Sequence, residues 1–152
     1  MNLEKYTMDA DEELFTFEFE SHGPKGRIRK IVQYTKTNWK DIYNLGFGDK
    51  DENTGEISDF SISNNLDSNR VLATVASSVS AFTLKYPHLW VYATGSSESR
   101  TRLYQMGISR HLDEIQLEFE VFGLRKNQWI PFSRNINYQA FIIKRKNINF
   151  DL

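Results

Sequence analysis

The segment Asn64 to Arg100, "NNLDSNRVLATVASSVSAFTLKYPHLWVYATGSSESR", carries the pattern from which the architecture follows. After "NNLDSN", whose Asn, Asp and Ser side chains cap helices, Val71, Val75, Val79, Phe82 and Tyr86 recur at spacings of three and four, the stripe of an amphipathic helix. The other face holds Ala73, Ala76, Ser77, Ser80 and Ala81 and no charge, so the helix is expected to lie tightly against a sheet or a second helix. Pro87 ends it, because the residue before a proline is driven out of helical geometry. "LWVYAT" then reads as a short buried strand. The turn "TGSS" leads into a second long helix reaching Ile115.

A strand between two helices needs neighbours, and the flanks supply them. Upstream, "LFTFEFES" from Leu14 alternates apolar and polar residues, "HGPKG" is a turn, and "RIRKIVQYT" resumes the alternation, which makes a β-hairpin. "DIYNLGFGD" and "EISDFSISN" read as a further strand pair joined by "KDENTG". Downstream, "LEFEVFG" and "YQAFIIKRK" form a last pair, connected by "LRKNQWIPFSRNIN". The expected fold is α+β, in the order ββββ-α-β-α-ββ: an antiparallel or mixed twisted sheet of about seven strands with two main helices packed on it. No repeat or linker divides the 152 residues, so 1–152 reads as a single domain.

Aromatic residues make up 14% of the chain, enough for a packed interior. The absence of cysteine excludes disulfide frameworks and thiolate metal sites, and no metal or cofactor motif replaces them. The acidic start "MNLEKYTMDADEELF" does not fit a signal peptide, and "VLATVASSVSAFTL" is too short and too polar to cross a bilayer. A cytoplasmic protein with no membrane association is expected. The formal net charge of −1 speaks against a nucleic-acid partner. It conceals a gradient, for residues 1–60 hold 13 acidic and 8 basic side chains and residues 61–152 hold 7 and 11.

The turn Thr94, Gly95, Ser96, Ser97 opens a helix and is followed by Arg100 and Arg102. Free N–H groups, the positive helix end, hydroxyls and guanidinium groups there make a candidate anion site for a phosphate-bearing ligand, set against ordinary helix capping. At 100° per residue, Arg100, Leu103, Tyr104, Gly107 and His111 share one strip of that helix, and Arg102 points nearly opposite. Gly107 costs about 1 kcal/mol relative to alanine, which suggests close packing. His111 is a candidate general base. In "DKDENTG", Asp49, Asp51 and Asn53 have the spacing of a calcium loop's first ligands, but Gly55 comes one residue late and Phe60 stands where a glutamate is needed, so a solvated turn is the better reading. The rings of Trp129, Phe132 and Tyr138 are assigned to the core rather than to a stacking platform.

Together, "GPKGRIRK", "YNLGFGD", "ISNNLDSNRVLATV", "TGSSESRTRLY" and "YQAFIIKRK" resemble, over most of the chain, a family of uncharacterised proteins of this size, found mainly in Bacteroidetes and known only as a domain of unknown function. That resemblance implies no activity. A weaker topological likeness is to the later part of the N-acetyltransferase superfamily, where the tyrosine of an "LYxxxGF"-like helix end acts as general acid; Tyr104 of "RLYQMGI" would match it, and the likeness implies acetyl-coenzyme A. That family's glycine-rich pyrophosphate loop is replaced here by "SNNLDSN". Three functions follow as expectations: a cytosolic binding or interaction protein with the 94–102 turn as its anion site, an acyl-transfer enzyme using Tyr104 and His111, and a protein partner such as an antitoxin presenting an edge strand or the "NQWIPF" loop. Nothing specifies an oligomeric state.

Overall fold

The upstream alternation folds as a hairpin. β2 (Thr16–Gly23) and β3 (Gly26–Lys36) pair antiparallel from Thr16↔Gln33 to Gly23↔Gly26, leaving Pro24 and Lys25 as a two-residue turn. Strand alternation sends Phe17, Phe19 and Ser21 with Lys30, Val32 and Tyr34 to one face, where all are buried, and Glu18, Glu20 and Arg29 to the other. The computed structural model describes residues 4–58 and 64–147. β4 (Ile42–Asp49) extends the sheet beside β3, and a two-residue β1 (Asp9–Ala10), not foreseen from the sequence, pairs with β2.

"EISDFSISN", expected as a partner strand for β4, lies mostly outside the described residues. Among the described residues it contributes one bridge, Lys50↔Ile57; residues 59–63 lie outside them. Ile57 lies against the outer face of β4. A Cβ at Gly46 would come within 2.9 Å of its side chain, and one at Gly48 within 2.8 Å.

α1 (Ser68–Lys85) ends before Pro87 and buries Val71, Val75 and Phe82. Three buried hydroxyls on it act as hooks. Thr74 Oγ1 accepts from the Tyr6 N–H at 2.9 Å, Ser78 Oγ shares a 2.8 Å hydrogen bond with the Tyr34 hydroxyl, and Thr83 Oγ1 accepts from Arg145 Nε at 3.0 Å. The crossover delivers β5 (Trp90–Ala93) parallel to β4, from Ile42↔Trp90 to Leu45↔Ala93.

The second helix is split. α2 (Glu98–Arg110) ends at His111, and α3 (Leu112–Glu118) restarts there with Leu112 buried. β6 (Phe119–Arg125), β7 (Gln128–Pro131) and β8 (Ala140–Arg145) complete the sheet, whose order is β1-β2-β3-β4-β5-β8-β6-β7. The count among the described residues is thus eight strands and three helices rather than seven and two.

All three helices cover the face carrying Val32, Leu45, Val91, Val121 and Phe141, and they divide its core in two. α1 packs with Phe17, Phe19, Tyr34 and Leu45; α2 and α3 pack with Val121, Phe132, Tyr138 and Phe141. Ile143 touches both clusters, so the seam runs along β5 and β8.

Candidate functional site: a cleft over the seam between the two cores

The uncharged small-residue face of α1 does not close against a neighbour, as its composition suggested. Ala73, Ala76, Ser77 and Ser80 form one wall of a cavity of about 440 Å³; Leu103, Tyr104, Gly107 and Ile108 of α2, with His111 and Ile115, form the other. The floor is the seam itself, including Val91, Val121 and Ile143. The helices meet only at one end, where the Gly107 Cα faces Leu72 and Arg110 Nη1 donates to Asn69 Oδ1 at 3.0 Å. At the other end Arg145 closes the floor, donating to Ser80 O and Oγ at 3.0 Å each, with Glu118 at 3.6 Å. Short side chains between these two ties leave the volume unfilled.

Two polar groups stand out in the apolar lining. The Tyr104 hydroxyl makes no hydrogen bond among the described residues. Burial pushes its pKa up, and the Arg100 guanidinium pulls against that shift. The His111 ring also makes no hydrogen bond among the described residues. The sequence-derived strip from Leu103 to His111 therefore faces the cavity, including both residues considered for acyl transfer. Such an apolar concavity with a few convergent polar groups is the usual form of a small-molecule site.

The Thr94–Arg102 turn is arranged differently. The Thr94 hydroxyl donates to Gln139 O at 2.9 Å, and the Gly95 N–H donates to Thr101 Oγ1 at 3.0 Å. Ser97 is the N-cap, accepting the Arg100 N–H at 3.3 Å. Arg100 turns inward, its Nη1 donating to Phe47 O at 2.8 Å and its guanidinium lying 5.2 Å from the Phe47 ring centre; burial lowers its pKa. Ser96 and Arg102 remain exposed, and Arg100 is half-buried on the other side of α2.

Other candidates have structural partners. Asp67 makes no side-chain cap for α1; its Oδ2 accepts from the Tyr6 hydroxyl at 2.6 Å and the Ser21 hydroxyl at 2.5 Å. Asp51 Oδ1 accepts from the N–H groups of Asn53 and Thr54 at 2.8 and 3.1 Å, which organises the "DKDENTG" turn. Among the described residues no three His, Asp or Glu side chains are placed to hold a metal ion, and no helix is long and apolar enough to cross a membrane. Phe132 and Tyr138 lie in the core, whereas Trp129 is 42% exposed.

Sequence reasoning missed the buried Lys30–Asp49 ion pair, whose members face each other in register across β3 and β4. Its only legible signal was a lysine in the inward phase of an alternating strand.

No curated protein and no solved structure matches the chain. The sheet order, the split helix and the cleft therefore describe a family rather than a known activity: the chain belongs to a family of unknown function (DUF6934), whose model matches residues 2–146.

Proposed function

We infer that this is a small-molecule binding protein whose ligand occupies the cleft between α1 and α2–α3. The observation that carries the reading is the 440 Å³ apolar cavity into which the unpartnered Tyr104 hydroxyl and the His111 ring converge. An amphipathic molecule fits this chemistry, with an apolar body over Val91 and Ile143 and a polar end hydrogen-bonded to Tyr104 or His111. The internal hydrogen bonds of Thr94, Gly95 and Arg100 favour the cleft over the 94–102 turn as the ligand site.

The test uses anilinonaphthalene sulfonate, an amphipathic anion that fluoresces in apolar surroundings. The native protein is expected to bind one equivalent, and Ala76→Leu, which fills the cavity, to weaken binding about 10-fold, the scale of a steric clash of 1.4 kcal/mol. Equal binding by both proteins removes the cleft as the site.

A second reading, acyl transfer from acetyl-coenzyme A, is favoured by one observation: Tyr104 and His111 line the same cavity. Tyr104 would protonate the leaving thiolate, with His111 assisting. A ligand bound only by the folded state raises the thermal midpoint, so an unmoved midpoint at millimolar acetyl-coenzyme A rejects this reading.

A further inference from the structure

The sheet face opposite the helices is divided by chemistry. Over β2 and β3 it carries Glu18, Glu20, Arg27 and Arg29 in ion pairs. Over β5, β8, β6 and β7 it carries rings. Register places Trp90 opposite Lys144, Ile142 between Tyr92 and Phe122, and Leu124 opposite Trp129. The Trp90 and Phe122 centroids are 5.8 Å apart, and Tyr92 and Trp129 meet edge to face at 6.1 Å. This layer buries Ile142 and Ala140 beneath it; Trp90, Tyr92 and Phe122 are half-buried and Trp129 is 42% exposed.

The charge around these rings differs from that of the whole chain. From Phe119 to Asn147 there are six basic side chains against one acidic residue, Glu120. Arg134 and Arg145 are paired with Asp113 and Glu118. Arg125 has the helix-side phase of Val121, whereas Lys126 and Lys146 are exposed and the Lys144 ammonium, opposite Glu120 in register, lies 5.6 Å from the Trp90 ring centre. The net charge of −1 averages this basic half-sheet with an acidic N-terminal region and says little about either.

Complementarity narrows the occupant. A second copy laid face to face would bring like charges together, whereas a polyanion is attracted. Duplex DNA hides its base faces in the stack, but a single strand offers flat π-surfaces to aromatic side chains and phosphates to lysine and arginine. We propose that this face binds single-stranded nucleic acid, with bases stacking on Trp129 and the neighbouring rings and phosphates held by Lys126 and Lys144. It is independent of the cleft, which lies on the opposite side of the sheet.

Fluorescence anisotropy of labelled oligothymidylate and oligouridylate, about 12 nucleotides long to span such a platform, tests this with the full chain. Binding is expected at low salt with quenching of tryptophan emission, and affinity falls as salt rises. Trp129→Ala should weaken binding about 10-fold, the scale of one lost stacking partner. Lys126→Ala with Lys144→Ala should flatten the salt dependence, and Ala76→Leu should leave binding unchanged. Should Trp129→Ala not fold, Trp129→Leu gives the same readout with an apolar side chain that cannot stack. Absence of binding at low salt overturns the proposal, as does binding that Trp129 substitution leaves intact. Equal affinity for polyglutamate or for duplex DNA of the same sequence also overturns it, because such a face would be selecting charge alone.

Discussion

Arg100 is bound to Phe47 twice over, through a 2.8 Å hydrogen bond from Nη1 to the backbone carbonyl and through its guanidinium lying 5.2 Å from the ring centre. β4 and β5 pair only as far as Leu45↔Ala93, so Phe47 lies beyond the shared ladder and Arg100 supplies the link from α2 to β4. Arg100→Ala is therefore expected to destabilise the protein by about 1.5–3 kcal/mol, the range for a hydrogen bond to a charged group. Arg102→Ala, at an exposed position, should stay within about 0.5 kcal/mol of the parent. Urea unfolding of the two variants checks the contrast, and equal losses would contradict it.

Gly107 is a helix glycine with room to spare. A Cβ there would lie 3.5 Å from Leu72 Cδ1, an ordinary contact distance. Gly107→Ala should gain up to about 1 kcal/mol from helix propensity. A lower thermal midpoint would show that α1 and α2 need to approach more closely than they do here.

Gly123 presents the opposite case. A Cβ at this position would come within 2.3 Å of the Tyr138 ring, which packs directly on the β6 backbone. Gly123→Ala must displace Tyr138 and with it the 2.9 Å bond from the Ser133 N–H to the Tyr138 hydroxyl. A loss of about 1–3 kcal/mol is expected from overpacking, read by denaturant unfolding with near-ultraviolet dichroism reporting the moved ring.

Tyr34 and Tyr104 both have pKa values raised chiefly by burial. A folded value above the unfolded one means that the stabilisation is complete below about pH 10, the ordinary tyrosine value, and is lost as pH climbs through the folded value. Stability should therefore decline on the alkaline side. Tyr104→Phe should reduce that decline without abolishing it, since Tyr34 remains, and should change stability at neutral pH by no more than about 0.5 kcal/mol because its hydroxyl has no partner to lose. Unfolding midpoints from pH 7 to 11 measure both.

Glu18 shows the acid counterpart. Its carboxyl is held below the usual carboxylate range, first by the hydrogen bond from Lys50, 2.7 Å away, with Arg29 adding to the effect. Stability from this group is present above about pH 4.3 and disappears as pH falls through the lowered folded value. Being partly exposed, it is worth about 0.2–1 kcal/mol, and Glu18→Gln should remove that share of the acid dependence.

The parts of the fold that were legible in the sequence are those set by local periodicity. Strict alternation placed the β2–β3 hairpin, and the Val71–Phe82 stripe with Pro87 placed α1. β7 was missed because its two-residue turn, Lys126–Asn127, holds both residues at positive φ, 51° and 61°, without the glycine that usually signals such a turn. The break at His111 was hidden because no proline or glycine stands at the junction of α2 and α3. The cleft was hidden for a different reason: small residues on a helix favour close approach and leave empty space equally well, and only the positions of Arg110 and Arg145 decide between them. Asp67 was read as a cap because its partners, Tyr6 and Ser21, lie 61 and 46 residues away.

Among the described residues β8 is the latest of the strands in chain order, yet it sits between β5 and the β6–β7 hairpin. During synthesis the hairpin can form early but has no place in the sheet until β8 emerges to join it to the N-terminal half. Assembly must therefore finish by insertion rather than by addition at an edge, and loss of this one segment would separate the sheet into two halves, each with its own hydrophobic cluster.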